Sequence, residues 1–414
     1  MPSKHYTLKK EAFILSTGDI ITGKTAGSQR VMKIAKSLRE EGIEVFICVL
    51  SNIKSDKIEP VALVPGISKL MSKEERVVKR TCMVNFLSYV AGYIHGRNTN
   101  SVIYLYPTTY VLKDFIYLIY FKYFNKIKFF CEINELRTAI ATTPFSARNG
   151  LNRTRNRIKA FVEYFKYKAN EFQIPLYDGV VVISTALERR FAGNARRIIR
   201  VPILCDVNDI DDREVPMLNP DAPFKICFAG YIKYEKEGFN ILYESLSLLK
   251  QSYKPELYLY GKQEEKDRCL LNKLADKYGL RDDVYYMGNI DPGDLPDEFR
   301  KYNLLILPRP LNRRTKYGFS TKLSEYLVSG IPVLATDVSD NAMYIRDSFN
   351  GYIIPPGSAS VMADKLQEII RNYNCQADRV VKNAHNTVRE SFDYKIYSKV
   401  YAEFFWPDEG GEVN

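Results

Sequence analysis

Residues Gly318–Asp337 read GFSTKLSEYLVSGIPVLATD. The stretch holds a helix start, an amphipathic helix, a glycine stop and a buried strand. Ser320 is placed to cap the helix, and Leu323, Tyr326 and Leu327 recur on one helical face. Gly330 ends the helix and Pro332 forbids its return. Val333-Leu334-Ala335, apolar without alternation, reads as a central strand of a parallel sheet. Lys322 and Glu325 then fall near a helix N-terminus, where unpaired N–H groups and the dipole favour phosphate. A lysine there can neutralise a diphosphate while the carboxylate accepts hydrogen bonds from sugar hydroxyls. Lys and Glu are also ordinary solvated helix residues, and spacing alone leaves both readings open.

Outward from this stretch the chain alternates short apolar runs with amphipathic segments, the pattern of a parallel α/β sheet. Strands are expected near Phe13–Ser16, Val45–Leu50, Ser101–Tyr106, Lys128–Glu132 and Gly179–Ser184, with helices including Ser28–Glu41 and Arg76–Tyr93. Residues Asp206–Asp221, acidic and punctuated by proline, form the expected linker. Strands resume at Phe224–Ala229, Leu257–Tyr260, Val284–Met287, Leu304–Leu307, Val333–Ala335 and Tyr352–Ile354. Two successive doubly wound units imply a cleft between domains, with ligands at the carboxyl ends of strands. Cys375–Trp406 reads as helix without intervening strands.

At 414 residues, two domains are the natural expectation. No secretory leader and no apolar run long enough to span a membrane are read. Seven cysteines without a C-x-x-C pair point to reduced thiols and a cytoplasmic home, and three scattered histidines to no metal site. Residues 1–200 hold 33 Lys and Arg against 16 Asp and Glu, leaving 27 and 33 in the remainder. The strongly basic half implies an anionic partner. Tyr110–Phe130 and Asn152–Phe172 interleave aromatics with cations, among them Arg153, Arg155, Arg157, Lys159, Lys166 and Lys168. An anionic membrane surface suits that mixture; for Tyr110–Phe124 a buried helix flanked by solvated lysines is the equal alternative. No nucleic-acid module is visible, so nucleic acid is not expected as a partner.

Gly318-Phe319, Glu325 and Gly330-Ile331-Pro332-Val333 resemble the signature of the retaining, nucleotide-sugar-dependent glycosyltransferases of GT-B fold, family four (glycosyl transferases group 1). That signature runs Glu-Gly-Phe-Gly, a helix with a second Glu, then Gly-x-Pro-Val. Lys322 ahead of Glu325-Tyr326-Leu327 is similar to the variant in bacterial surface-polysaccharide members. The resemblance covers residues 11–372. It implies two Rossmann-like doubly wound domains facing an interdomain cleft: an acceptor-binding domain (1–205), a nucleotide-sugar domain (206–374), and C-terminal helices (375–414) that cross back to the first. The aromatic tail Phe404-Phe405-Trp406 suits such docking.

The resemblance also assigns roles. Gly230 and Lys236 match the phosphate-gripping loop, although Tyr231 stands where the family carries Arg and Glu237 intervenes before Gly238. Lys233, Lys322, Arg309, Arg313 or Arg314 is then needed to replace the missing guanidinium. Gly261 and Gly288 each end a strand, and Asn289 and Ile290 match positions that contact the base through main-chain groups. Gly318, Phe319, Ser320 and Thr321 line the donor, and Glu325 holds it, while Tyr317 occupies the place of the first Glu. A phenol can donate a hydrogen bond there but supplies no carboxylate charge at neutral pH. Asn134-Glu135 follows a strand where many members carry His-Glu; Asn134 can hydrogen-bond a hydroxyl, and Glu135 or Glu132 can act on the acceptor. Gly27, in TAGSQRV, resembles the glycine-rich entry to the first helix. Ser184 and Asp206 match a strand–Ser–helix element and the interdomain turn.

The expected activity is hexose transfer from a UDP- or GDP-sugar to a lipid-linked or polysaccharide acceptor in cell-surface glycan assembly. The expected mechanism is retaining and metal-independent, with no cofactor beyond the donor, on a cytoplasmic protein peripheral to the inner membrane face. Two alternatives stand. Tyr317, Tyr231 and Asn134 suit a catalytically silent glycosyltransferase-like binding protein. Gly18–Thr25 also spells G-x-x-x-x-G-K-T after the first strand, the form of a nucleotide hydrolase loop.

Overall fold

The computed structural model describes residues 8–16, 25–49, 54–64, 66–74, 80–106, 111–141 and 150–407. The chain divides into two compact units, residues 1–202 with 394–414, and residues 203–393. In the first unit β1 (Lys9–Ser16), α1 (Ala26–Glu40) and β2 (Glu44–Val49) lead to an antiparallel pair, β3 (Lys54–Val64) and β4 (Ile67–Glu74). Then follow α2 (Arg80–His95), β5 (Thr99–Leu105) and α3 (Val111–Leu118), which continues into a π-helical stretch, Ile119–Phe124. The unit proceeds through β6 (Lys128–Ile133), α4 (Arg137–Ala141), α5 (Gly150–Glu171), β7 (Gly179–Val182), α6 (Thr185–Phe191) and β8 (Ile198–Arg200). The sheet order is β3-β4-β2-β1-β5-β6-β7-β8, parallel except for β3.

The second unit holds β9 (Phe224–Ala229), α7 (Tyr234–Glu237), α8 (Phe239–Leu249), β10 (Pro255–Tyr260), α9 (Glu265–Tyr278) and β11 (Val284–Gly288). It continues with α10 (Leu295–Phe299), β12 (Leu304–Leu307), α11 (Arg313–Tyr317), α12 (Thr321–Leu327), β13 (Val333–Thr336), α13 (Asn341–Tyr344), β14 (Tyr352–Ile354) and α14 (Ala359–Ser391). Its sheet is all parallel, ordered β11-β10-β9-β12-β13-β14. The chain winds outward from β9 one way and from β12 the other, so the topological switch point lies between those two strands. Ligands of doubly wound sheets bind at the carboxyl ends beside that point. In the first unit the switch point lies between β1 and β5.

The central strands are continuous apolar runs because both faces are covered: Ala12–Leu15 in β1 and Leu304–Leu307 in β12 are fully buried. β3 and β4 escape sequence reading because KSDKIEPVALV and ISKLMSKE mix charged with apolar residues, and neither is a continuous apolar run. β8, only three half-buried residues long, leaves too little pattern. α1 starts two residues ahead of the expected Ser28 because Thr25 caps it. Its hydroxyl accepts from Ser28 N–H at 3.1 Å, while Ser28 Oγ accepts from Thr25 N–H at 3.1 Å.

α14 runs unbroken through position 375, burying Leu366, Ile369, Tyr373 and Val380 along one face, so no new helical element begins there. The final helix, α15 (Ser398–Phe405), belongs to the first unit. Phe404 and Phe405 lie 5.4 and 4.8 Å from the Phe130 ring, and Trp406 Nε1 donates to Asn100 O at 3.0 Å. Gly179 makes room for this packing, since a Cβ there would come within 2.5 Å of the Phe404 ring.

Candidate functional site

The second unit gathers its polar residues at the carboxyl ends of β9 and β12, beside the switch point. Gly230, just past β9, donates its N–H to Tyr260 O at 2.9 Å, and Gly261 donates to Gly288 O at 2.7 Å. The three strand-end glycines therefore stand side by side. Gly261 has φ +119°, and a Cβ on it would lie 2.1 Å from Gly230 O. No other residue allows that approach.

α12 reaches this point through Tyr326. Its phenol accepts from Ala229 N–H at 2.8 Å and donates to Ala229 C=O at 3.1 Å. Lys322, one turn earlier on the same face, is thereby laid across Gly230: a Cβ at Gly230 would lie 2.0 Å from Lys322 Cε. The Lys322 ammonium also sits 4.7 Å from the centre of the Phe228 ring. Glu237, the last residue of α7, precedes Gly238, whose left-handed φ of +69° lets the chain turn against Pro308 O. That turn sets Glu237 beside Arg309. Glu237 Oε1 accepts from Lys322 Nζ at 3.0 Å, and Oε2 accepts from Arg309 Nε at 3.1 Å. Arg309 Nη2 also reaches Oε1 at 3.4 Å, and the Arg309 carbonyl is held at 2.7 Å by Thr336 Oγ1.

All three side chains are removed from water, with Glu237 1%, Lys322 8% and Arg309 8% exposed. Burial opposes the Glu237 charge, but Arg309 and Lys322 outweigh it and hold the carboxyl well below its usual range. Burial lowers the Lys322 pKa, Glu237 working against that and Arg309 with it. Lys236 flanks the cluster. Burial first, then Arg309, Lys322 and Arg314, bring its ammonium down to about 7, with Glu237 opposing. The site is a cationic cradle at a strand end, organised around one buried carboxylate.

Glu325 lies on α12 one turn beyond Lys322 and within its field. Tyr317 ends α11, half-buried, and Gly318 follows in extended conformation. Phe319 is buried and stacks on Tyr344 at 5.5 Å, fixing the entry to α12. Ser320 occupies the N-cap position, but its hydroxyl makes no capping bond, contrary to the sequence expectation; it is buried without a hydrogen-bond partner. Thr321, half-buried, opens the helix. Asn289 is exposed and Ile290 half-buried just past β11. Of the cations considered as replacements for an arginine at Tyr231, Arg309 and Lys322 join the cradle. Tyr231 itself turns to Glu264, 2.9 Å away, with Lys233 over its ring at 5.2 Å.

In the first unit Gly27, Tyr106 and Asn134 meet beside the β1–β5 switch point. Asn134 Nδ2 donates to Tyr106 Oη at 3.0 Å, and a Cβ at Gly27 would lie 3.3 Å from that oxygen. Glu132 is fully buried, ion-paired with Arg30 and accepting from Tyr104 Oη at 2.6 Å. Arg30 also donates to Pro202 O at 2.6 Å and Val201 O at 3.0 Å. Glu132 thus serves the fold, whereas Glu135 is half-buried and lines a pocket with Asn134, Arg137 and Tyr167. Gly18–Lys24 lies outside the described residues, and Thr25 caps α1. The side chains of Arg153, Arg155, Arg157 and Lys159 also lie outside the described residues.

In the sequence Glu237 reads as an interruption before Gly238 and Arg309 as one of five possible replacements for the missing arginine. The available signal is a carboxylate directly before a glycine in YEKEG; that it faces Arg309 is set by the Gly238–Pro308 contact.

Residues 210–387 match the family Glycosyl transferases group 1. That span lies within the second unit and includes the cradle. An uncharacterized glycosyltransferase of Methanocaldococcus jannaschii is 24% identical over 240 residues, 55% of this chain and 58% of that protein. The lipopolysaccharide core biosynthesis glycosyltransferase LpsE of Rhizobium meliloti is 25% identical over 183 residues, 44% of this chain and 49% of its own. The chain thus spans about half the length of these curated relatives. Among solved structures, sucrose-phosphate synthase of Thermosynechococcus elongatus aligns over 96% of this chain and 98% of its own, with a TM-score of 0.67 and 16% identity. HepE of Anabaena in complex with UDP aligns over 96% and 99%, with a TM-score of 0.61 and 14% identity. The family match and the relatives support the glycosyl transferases group 1, and the fold is that of GT-B glycosyltransferases.

Proposed function

We propose that this chain is a glycosyltransferase that moves a hexose from a UDP- or GDP-sugar to a lipid-linked or polysaccharide acceptor in cell-surface glycan assembly. The cradle at Gly230 carries the reading: Lys322, Lys236 and Arg309 converge where a doubly wound sheet takes its ligand. Their charges oppose the negative charge that builds on a departing diphosphate, so the proposed transfer draws on side-chain cations and not on a metal ion. Glu325 holds the donor through ribose hydroxyls. Ser320 Oγ, buried without a partner, supplies one further hydrogen bond to the donor. Main-chain groups at Asn289 and Ile290 take the base, and Gly27, Asn134 and Glu135 the acceptor side. Solved complexes of HepE with UDP and with UDP-glucose support a nucleotide-sugar donor, and the match to LpsE supports a surface-glycan acceptor. Retention of anomeric configuration rests on the family resemblance.

The same reading includes a peripheral position on the anionic inner face of the cytoplasmic membrane. α3 packs on α5, and the pair leaves Leu112, Phe115, Ile116, Phe161, Val162 and Phe165 exposed. Exposed Lys113, Lys126, Lys128 and Lys166 accompany these side chains. The opposite face of α3, with Val111, Tyr117 and Leu118, is buried, as the alternative reading of a packed helix expects. Aromatic anchors with cations suit an interface of anionic lipid. No helix among the described residues is long and apolar enough to cross a membrane.

Thermal shift with UDP, GDP, ATP and UDP- and GDP-sugars tests the donor site, because a ligand that binds only the folded state raises the melting temperature. A shift with one nucleoside diphosphate class, lost in Glu325→Ala, is expected. Stabilisation by ATP alone, or an unchanged shift in Glu325→Ala, would overturn the assignment.

A further inference from the structure

We propose that Glu237 is the positioning residue of the cradle, holding Arg309 and Lys322 as a paired clamp, with Arg309 a phosphate-binding residue in its own right. The inference rests on the reading that a diphosphate binds at Gly230, and it adds how two cations are kept charged and aimed in a buried place. Lys322 Nζ and Arg309 Nη2 share one oxygen of Glu237, at 3.0 and 3.4 Å, so the two cations are neighbours. Two adjacent buried cations repel, and each also loses hydration. One ionised carboxylate between them offsets both costs. It uses one of three ammonium donors and two of five guanidinium donors, leaving the rest for an anion. Glu237 itself, 1% exposed at the end of α7, is too enclosed to be displaced.

The geometry also separates holder from ligand site. Lys322 crosses the strand-end Gly230, whereas Glu237 approaches from the α7–Gly238 turn, which Pro308 backs. Lys236 lies within the field of the same groups. The charged groups acting on it are Arg309, Glu237, Lys322 and Arg314, and Lys322 in addition feels Glu325. With Lys236 near neutrality in the empty site, binding of a diphosphate takes up a proton, so affinity falls as pH rises above about 7. Without the Glu237 charge the lysines lose protons more readily, and that fall moves to lower pH.

Isothermal titration of the full chain with UDP, GDP and inorganic pyrophosphate, at pH 6 and pH 8, tests this. Glu237→Gln keeps the shape and removes the charge. At pH 8 it is expected to weaken pyrophosphate, and whichever nucleotide the wild type binds, by about tenfold or more; at pH 6 the loss narrows. Because Glu237 acts in part through Lys322, Glu237→Gln added to Lys322→Met should cost less than it does in the wild type, the remainder being carried by Arg309. Equal affinity of Glu237→Gln and wild type at both pH values overturns the inference, as does full additivity of the two substitutions. Wild-type protein that binds none of the three ligands instead sinks the diphosphate reading itself. Should Glu237→Gln fail to fold, Arg309→Gln, which leaves Glu237 paired with Lys322, is expected to lose about tenfold in pyrophosphate affinity. Wild-type affinity in that variant overturns the role of Arg309.

Discussion

Gly230→Ala asks whether Lys322 truly lies across the strand end. The substitution adds one methyl group, and two costs follow from the geometry. Gly230 has φ +141°, a conformation that L side chains rarely adopt, worth about 1–3 kcal/mol of strain. The new Cβ would also lie 2.0 Å from Lys322 Cε and 2.9 Å from Nζ, so the lysine must move off Glu237 Oε1. Breaking a buried ion pair outright costs about 3–5 kcal/mol, but Arg309 stays on Glu237, so about 1–2 kcal/mol is the share expected here. The sum is about 2–5 kcal/mol. For a unit of residues 203–393 that lowers its melting temperature by roughly 5–15 °C. Gly279→Ala is the control: its φ is +65° but nothing lies within 4 Å of its added Cβ, so it carries strain without collision. Differential scanning calorimetry of both variants, with UDP and GDP titrated into each, reads the difference. Gly230→Ala should melt lower than Gly279→Ala and lose nucleotide affinity that Gly279→Ala retains. Equal melting and equal binding in the two variants would refute the placement of Lys322.

Lys236 sets a pH dependence of stability whose sign differs from that of binding. Its folded pKa of about 7 lies below the ordinary lysine value, so between the two the unfolded chain holds a proton the folded chain has released, and stability rises with pH. Below about 7 both states are protonated and the slope vanishes. Urea unfolding of wild type and Lys236→Met from pH 6.5 to 9.5 should show wild type gaining by more than about 1 kcal/mol relative to the variant; a constant difference would remove the effect. Phe405, fully buried against Phe130, Tyr104 and Tyr401, should cost about 3–5 kcal/mol on change to Ala, read as a lower melting transition of the first unit. The double change Phe161→Glu with Val162→Glu should abolish co-sedimentation with phosphatidylglycerol vesicles and leave the UDP and GDP response intact, since both side chains are exposed on α5. Undiminished vesicle binding would remove α5 from the membrane surface.

Much of the second unit was legible because its signals are local. Strands Phe224–Ala229, Leu304–Leu307 and Tyr352–Ile354 fall where their apolar runs end, and the Gly330-Ile331-Pro332 break between α12 and β13 depends only on backbone chemistry. β3 and β4 were illegible because an edge pair needs no continuous apolar run, and Ser320 misled because an N-cap residue in sequence need not turn its hydroxyl to the helix. Glu132 reads in sequence as an available carboxylate, but Arg30 and Tyr104, distant in sequence, bond to it in the fold.

The sequence by itself determined that two largely parallel α/β sheets form, where glycines end strands, and which lysine and glutamate share a helix face. Those are consequences of periodicity and of the conformations each residue permits, and both act over a few neighbours. Only the tertiary structure decided that Glu237 stands between Arg309 and Lys322, 72 and 85 residues away, and that Arg309 enters the cradle while Tyr231 turns away from it. Ion pairing depends on distances set by strand order and by the Gly238–Pro308 contact, and no spacing along the chain encodes them.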